Sequence, residues 1–158
     1  MARRPTPSLP WNRSDVARAE YDKHLVNQIQ STQPELVLLL GWMHILSPQC
    51  IDVLPEMINI HPAFLPLDSE ADRVGFSDGT VTPAYRGARA VRDALRDGAH
   101  WVGATAHRVT NDTDRGEVLQ RRPLRVENGE AEAEVMDRLH PLEHRVLTGA
   151  IMRWVYER

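Results

Sequence analysis

Five consecutive apolar residues, Leu36-Val37-Leu38-Leu39-Leu40, run straight into Gly41. Unbroken apolarity suits a strand covered on both faces, and such strands belong to parallel sheets sandwiched between helices. Met57 to Ile60 predicts a second strand, stopped by His61-Pro62. Upstream, Val16, Ala19, Leu25, Val26 and Ile29 recur near helical spacing between Ser14 and Ser31, with Ser14 as N-cap and Pro34 as breaker. Downstream, Thr82-Pro83 reads as an N-cap with proline at the first helical position. Ala84, Ala88, Val91 and Leu95 then form one stripe, and Gly98 stops the helix. Val102–Val109 and Val118–Val126 predict two further strands, the last placed at an edge or bulge by Pro123. A long closing helix carries Val135, Leu139, Leu142, Val146 and Ile151 on one side, and Pro141 should kink or divide it. Helices alternating with strands in this order predict an α/β sheet.

The remainder of the chain sets milder limits. Residues 1–13, with three prolines and no periodicity, read as a flexible arm, and 14–158 as one domain. Residues 67–82, rich in acids and holding two glycines, read as an inserted acidic loop. The net charge of −3, with bases scattered rather than massed, carries no electrostatic footprint for nucleic acid. The single cysteine, Cys50, excludes an intrachain disulfide framework and fits a reducing cytoplasm. The longest apolar run is too short to span a bilayer, and the basic N-terminus has no apolar stretch of a secretory signal behind it. A cytoplasmic protein with neither nucleic acid nor membrane as partner is the expectation.

Chemistry concentrates in two segments. Asn59 and His61 are two apart on a strand, so they point the same way while Ile58 and Ile60 point into the core. An amide donor beside an imidazole at a strand end is an arrangement that holds a developing oxyanion. Some fifty residues on, Asp114 follows a strand in a polar loop of Asn111, Asp112, Thr113, Arg115 and Gly116. Amide, imidazole and carboxylate together suit transfer of a small acyl unit to an amine. The blander readings are an Asn and a His that satisfy backbone groups, and acids that merely shape a turn. Three other features read as structural. His140 and His144 have helical metal-ligand spacing, but Pro141 disturbs it and no third ligand is evident, so no metal is expected. Arg86, Arg89, Arg92 and Arg96 read as a solvated helix face, and Cys50 as a small buried residue.

These motifs resemble the folate-dependent formyltransferases, above all the branch that formylates glycinamide ribonucleotide in purine synthesis. Tyr21-Asp22, the stretch from Leu36 to Pro48, Asn59-Ile60-His61-Pro62, the Asp114-Arg115-Gly116 loop and Glu143-His144 follow the family order across nearly the whole chain. The resemblance implies a Rossmann-type, mostly parallel sheet flanked by helices. It implies Asn59, His61 and Asp114 as catalytic residues, with Asn59 and His61 on the oxyanion and Asp114 orienting His61 and relaying a proton. Trp42, Met43, His44, Ile45, Leu46 and Asn111, Asp112, Thr113 would hold the pterin of 10-formyltetrahydrofolate. Pro62 and Glu143 would contact the amine-bearing ribonucleotide.

The chain also departs from that pattern. No counterpart of the family's first βαβ portion, with its Gly/Ser/Asn-rich phosphate loop, is found. Leu36–Leu40 would then be an apolar edge, completed by a homo-oligomer or by a complementing N-terminal chain. Arg108 and Thr113 stand where the family prefers apolar or aromatic residues. Related activities stay open. A formyltetrahydrofolate deformylase is suggested by Gly103-Ala-Thr-Ala-His107, another amine N-formyltransferase by Tyr85-Arg86-Gly87, and a non-catalytic folate-binding remnant by the missing phosphate loop.

Overall fold

A computed structural model describes the protein from Asp15 to Arg158, with side chains from Arg18 onward; the expected arm and the Ser14 N-cap lie outside the described residues. The elements are α1 (Asp15–Gln30), β1 (Val37–Leu39), α2 (Pro48–Val53), β2 (Met57–His61), β3 (Arg73–Gly75), β4 (Val81–Pro83), α3 (Ala90–Arg96), β5 (Trp101–Arg108), β6 (Val118–Arg125) and α4 (Glu132–Tyr156). The main sheet has the order β1-β2-β5-β6, and β3 pairs with β4 in a separate hairpin.

Strand alternation sorts the apolar residues into two cores. Leu36, Leu38, Ile58, Ile60, Val102, Ala104 and Ala106 meet α3 and α4 through Val91, Val135, Leu139, Val146 and Trp154. Val37, Leu39 and Met57 face the other way, onto Leu25, Val26 and Ile29 of α1 and Cys50 of α2. Helices therefore flank both faces, as the α/β class requires. Within that class the sheet is mixed: β1 and β2 run parallel, while β2–β5 and β5–β6 are antiparallel. This is narrower than the mostly parallel sheet the resemblance implies. The cause lies partly in connection length, since residues 109–117 are too few to return a strand in parallel.

Several local expectations change. β1 touches a helical layer on each face, yet its residues are only half-buried because it is the edge strand among the described residues, and Leu40 is exposed. α2 was not anticipated; Ser47 caps it through Cys50 N at 3.4 Å and Pro48 occupies its first turn. Thr82-Pro83 does not start a helix but lies in β4, and the helix before Gly98 begins only at Ala90 and ends at Arg96. α4 runs undivided through Pro141. Pro123 does sit on the edge strand β6, with a bulge nearby at Ala106/His107.

The segment 67–82 is the largest change from loop to structure. β3 and β4 pair from Arg73↔Pro83 to Gly75↔Val81. Phe76 then docks the hairpin on the sheet, 5.2 Å from the Phe64 ring and stacked 5.4 Å from Trp101. Trp101 Nε1 donates to Asp78 at 2.7 Å, which holds that carboxyl down at about 2.

Candidate active site

The site starts from register. β2 and β5 place Asn59 opposite His107 and His61 opposite Thr105, so four polar side chains share one face of the sheet. Thr105 Oγ1 accepts from Leu65 N at 3.0 Å and donates to Ala63 O at 2.7 Å, which fixes the turn after His61-Pro62. Loop 109–117 leaves β5 at the far end from His61 and folds back over this face. Gly116 makes that return possible: a Cβ there would lie 1.7 Å from the Arg108 carbonyl oxygen. Asp114 adopts φ +55°, a left-handed conformation that its short polar side chain tolerates better than most.

Asp114 is the hub. Its Oδ2 accepts the Gly87 N–H at 2.7 Å and lies 3.6 Å from His61 Nδ1, while its Oδ1 lies 3.4 Å from His107 Nε2. Burial works to raise this carboxyl, but the His107 contact, the His61 ring and the Gly87 amide outweigh it and hold Asp114 at about 2. The group is therefore a carboxylate at neutral pH. His61 donates Nε2–H to the Tyr85 carbonyl at 2.8 Å, leaving Nδ1 toward Asp114. Burial lowers the imidazole below its ordinary 6.5, against the opposing pull of Asp114. His107 donates Nδ1–H to the Arg108 carbonyl at 2.9 Å. Its Nε2 accepts from Asn59 Nδ2, 3.3 Å away, when the ring is neutral, and would donate to Asp114 if charged.

Asn59, His61 and Asp114 thus converge, and Trp42–Leu46, Pro62, Asn111–Thr113 and Glu143 line the same cavity of about 840 Å³. That size and a mainly apolar wall suit a small organic ligand. Trp42 offers a buried Nε1 with no hydrogen-bond partner among the described residues, and His44 packs edge-on against its ring at 5.6 Å. Met43 and Ile45 are exposed at the rim, whereas Leu46 is itself a core residue. Asn111, Asp112 and Thr113 form an exposed rim turn, with Thr110 Oγ1 donating to the Asp112 carbonyl at 3.1 Å. Pro62 follows His61 on the wall, and Glu143 projects from α4, its carboxyl pushed up by burial against the opposing effect of His140 and His144.

Sequence reasoning used His107 and Tyr85-Arg86-Gly87 only as marks of related activities, and gave neither them nor their hydrogen bonds a part in the site. Period-two alternation from Thr105 put His107 on a definite face, but only the register with β2 shows that Asn59 shares that face. Arg86 precedes α3 rather than lying on it, and its Nε donates to the Asp114 carbonyl at 3.3 Å. The surface reading does hold for Arg92 and Arg96, which pair with Glu132 and with Asp93 and Asp97. Arg108 is drawn into a peripheral ion network with Glu56, Glu117 and Glu157.

The chain matches the family model described as formyl transferase over residues 3–67 and 79–151, so the gap falls on the hairpin segment. It is 30% identical over 131 residues to phosphoribosylglycinamide formyltransferase of Escherichia coli strain K12, covering 82% of this chain and 54% of that protein. It is 28% identical over 144 residues to formyltetrahydrofolate deformylase of Escherichia coli O6:H1, covering 90% and 45%. Among solved structures, phosphoribosylglycinamide formyltransferase from Streptococcus pneumoniae TIGR4 is similar with TM-score 0.71 and 25% identity, over 87% of this chain and 68% of that one. The chain spans about half the length of these curated relatives.

Proposed function

Because the chain belongs to the formyl transferase family, we propose that it transfers a formyl group from 10-formyltetrahydrofolate to the amine of glycinamide ribonucleotide, a step of purine synthesis in the cytoplasm. The observation that carries this reading is the carboxylate of Asp114, ionised and 3.6 Å from the unoccupied Nδ1 of His61. The amine attacks the formyl carbon, a C–N bond forms, and the carbonyl electron pair moves onto oxygen. Asn59 holds that oxyanion through its amide N–H, and His61 stabilises it by the positive charge it gains in the step. The proton lost by the amine moves, directly or through water, to the gap between His61 Nδ1 and Asp114, where it creates an imidazolium paired with a carboxylate. Collapse of the intermediate breaks the bond to N10 of the folate, which leaves with a proton as tetrahydrofolate. Trp42–Leu46 and Asn111–Thr113 take the pterin, while Pro62 and Glu143 face the ribonucleotide. The open edge of β1 is the place where a second copy or a complementing chain would pair.

Deformylation is the second reading, in which water replaces the amine; it is favoured by the 28% identity to the Escherichia coli deformylase across 90% of this chain. One assay separates the two: tetrahydrofolate release from 10-formyltetrahydrofolate, with and without glycinamide ribonucleotide. Release only with the acceptor, lost in Asp114→Asn, is the expected result. Release without acceptor makes the chain a deformylase. No release in either condition sinks catalysis by this chain alone and leaves a folate-binding module.

A further inference from the structure

We infer that Arg86 is a positioning residue for the Asp114 carboxylate, and that residues 69–72, which the family model leaves unmatched and which lead into the hairpin of β3 and β4, hold Arg86 in place. The geometry runs through one guanidinium with a side chain only 15% exposed. Its Nε donates to the Asp114 carbonyl at 3.3 Å. Its Nη2 donates to the Ala71 carbonyl at 2.8 Å and reaches that of Ser69 at 3.5 Å, and its Nη1 meets Asp72 Oδ1 at 3.2 Å. Three of the four acceptors thus lie in residues 69–72, which lead into β3. Arg115 repeats the tie from the neighbouring position, with Nη1 on the Ser69 carbonyl at 2.7 Å and Nη2 on Asp72 Oδ1 at 2.6 Å.

The far end of the hairpin is fixed to the sheet by the stack of Phe64, Phe76 and Trp101. Its near end is fixed by Ala84 N, which donates to the Asp72 carbonyl at 2.8 Å and sets the chain for Arg86 and Gly87. A single exposed ion pair contributes little, and Asp72 is exposed. Here the planar fork reads three backbone carbonyls at once, a task that lysine cannot perform. The device answers a specific need: Asp114 is held at φ +55° while its carboxylate must stay aligned with Gly87 N, His61 Nδ1 and His107 Nε2. Asp114 is called catalytic on the reading proposed above; its placement by Arg86 is tested without turnover.

The experiment uses the ligand-free chain and two variants, Arg86→Lys and Asp72→Asn, read by nuclear magnetic resonance. Hydrogen exchange of the Gly87 amide and titration of the His61 ring report on the strut, and the buried β5 amides report on the fold. In Arg86→Lys, Gly87 exchange should accelerate about tenfold or more, with β5 protection unchanged. His61 should titrate lower, since Asp114 raises it and has moved away, while lysine keeps the positive charge by which position 86 lowers it. Asp72→Asn should shift both signals the same way by less, and it decides the matter should Arg86→Lys lose β5 protection. Wild-type exchange at Gly87 and wild-type titration of His61 in both variants would overturn the inference. An unaltered strut signal with no formyl transfer in the wild type would sink both claims, whereas an altered signal with no transfer sinks the reaction alone.

Discussion

Asp114 carries three demands that few side chains meet together. It must accept a left-handed backbone, receive the Gly87 amide, and bear a full negative charge beside two imidazoles. Asparagine meets the first two and fails the third, which makes Asp114→Asn the cleanest separation of charge from shape. On the proposed reaction, kcat/KM for formyl transfer should fall by about 10²–10⁴-fold, the range for loss of a positioned proton-transfer group. His61 should titrate lower in the same variant, because the carboxylate that raises it is gone. A turnover near wild type would remove Asp114 from the chemistry. At this scale the sequence was legible as a pattern and illegible as a cause. The Asp114-x-Gly116 spacing could be read directly. That Gly116 is required by the approach of the Arg108 carbonyl, and that His107 lies opposite Asn59, depends on contacts between segments far apart in the chain.

At the scale of elements, one local signal led to opposite outcomes. Ser47-Pro48 caps and opens α2, while Thr82-Pro83, the same chemistry on paper, lies in a strand. Behind Pro48 stand Cys50 and Leu54, buried in the second core, so a short helix has somewhere to go. Behind Pro83 the chain must turn to present the Tyr85 carbonyl and the Gly87 amide to the site, so helix formation waits until Ala90. Strand direction was legible only for β1, whose unbroken apolar run does pair in parallel, whereas β5 runs antiparallel to β2. Pro141 shows tertiary packing overriding propensity within α4. The buried stripe of Val135, Leu139, Leu142, Val146 and Ala150 holds the helix against the sheet on both sides of it. The proline still removes one N–H and crowds the carbonyl of Asp137, one turn back. Its side chain is exposed, so Pro141→Ala should restore the hydrogen bond without opening a cavity. Stability should rise by ~1–3 kcal/mol, read as a higher urea midpoint with an unchanged m-value. A lower midpoint would mean that α4 depends on a bend at this position.

For the molecule as a whole, the site has a cost that depends on pH. His61 is buried with its titration lowered, so below its ordinary 6.5 the unfolded chain binds a proton that the folded chain resists. Stability must therefore fall as pH drops from about 6.5 toward the folded-state value of His61. Asp114, held at about 2 in the fold, adds a second loss at lower pH, between about 4 and 2, of the order of ~2 kcal/mol. Asp72, Asp78 and Glu117 are also lowered, but they are exposed, solvent-screened groups and add little, while Glu130, covered beside Arg138, loses its share only in the carboxylate range. Glu143 acts with the opposite sign: burial raises it, so its contribution grows on acidification and offsets part of the histidine loss. Urea midpoints for the wild type should consequently be lower at pH 5.5 than at pH 7.5, and the difference should shrink in His61→Gln, which cannot take up a proton. The same neutral imidazole is what receives the amine's proton in the proposed reaction, so formyl transfer should persist while stability falls and weaken only as pH passes the folded-state value of His61. If the wild type and His61→Gln lose equal stability between these two pH values, His61 is not held neutral by the fold, and the proton-accepting gap beside Asp114 goes with it.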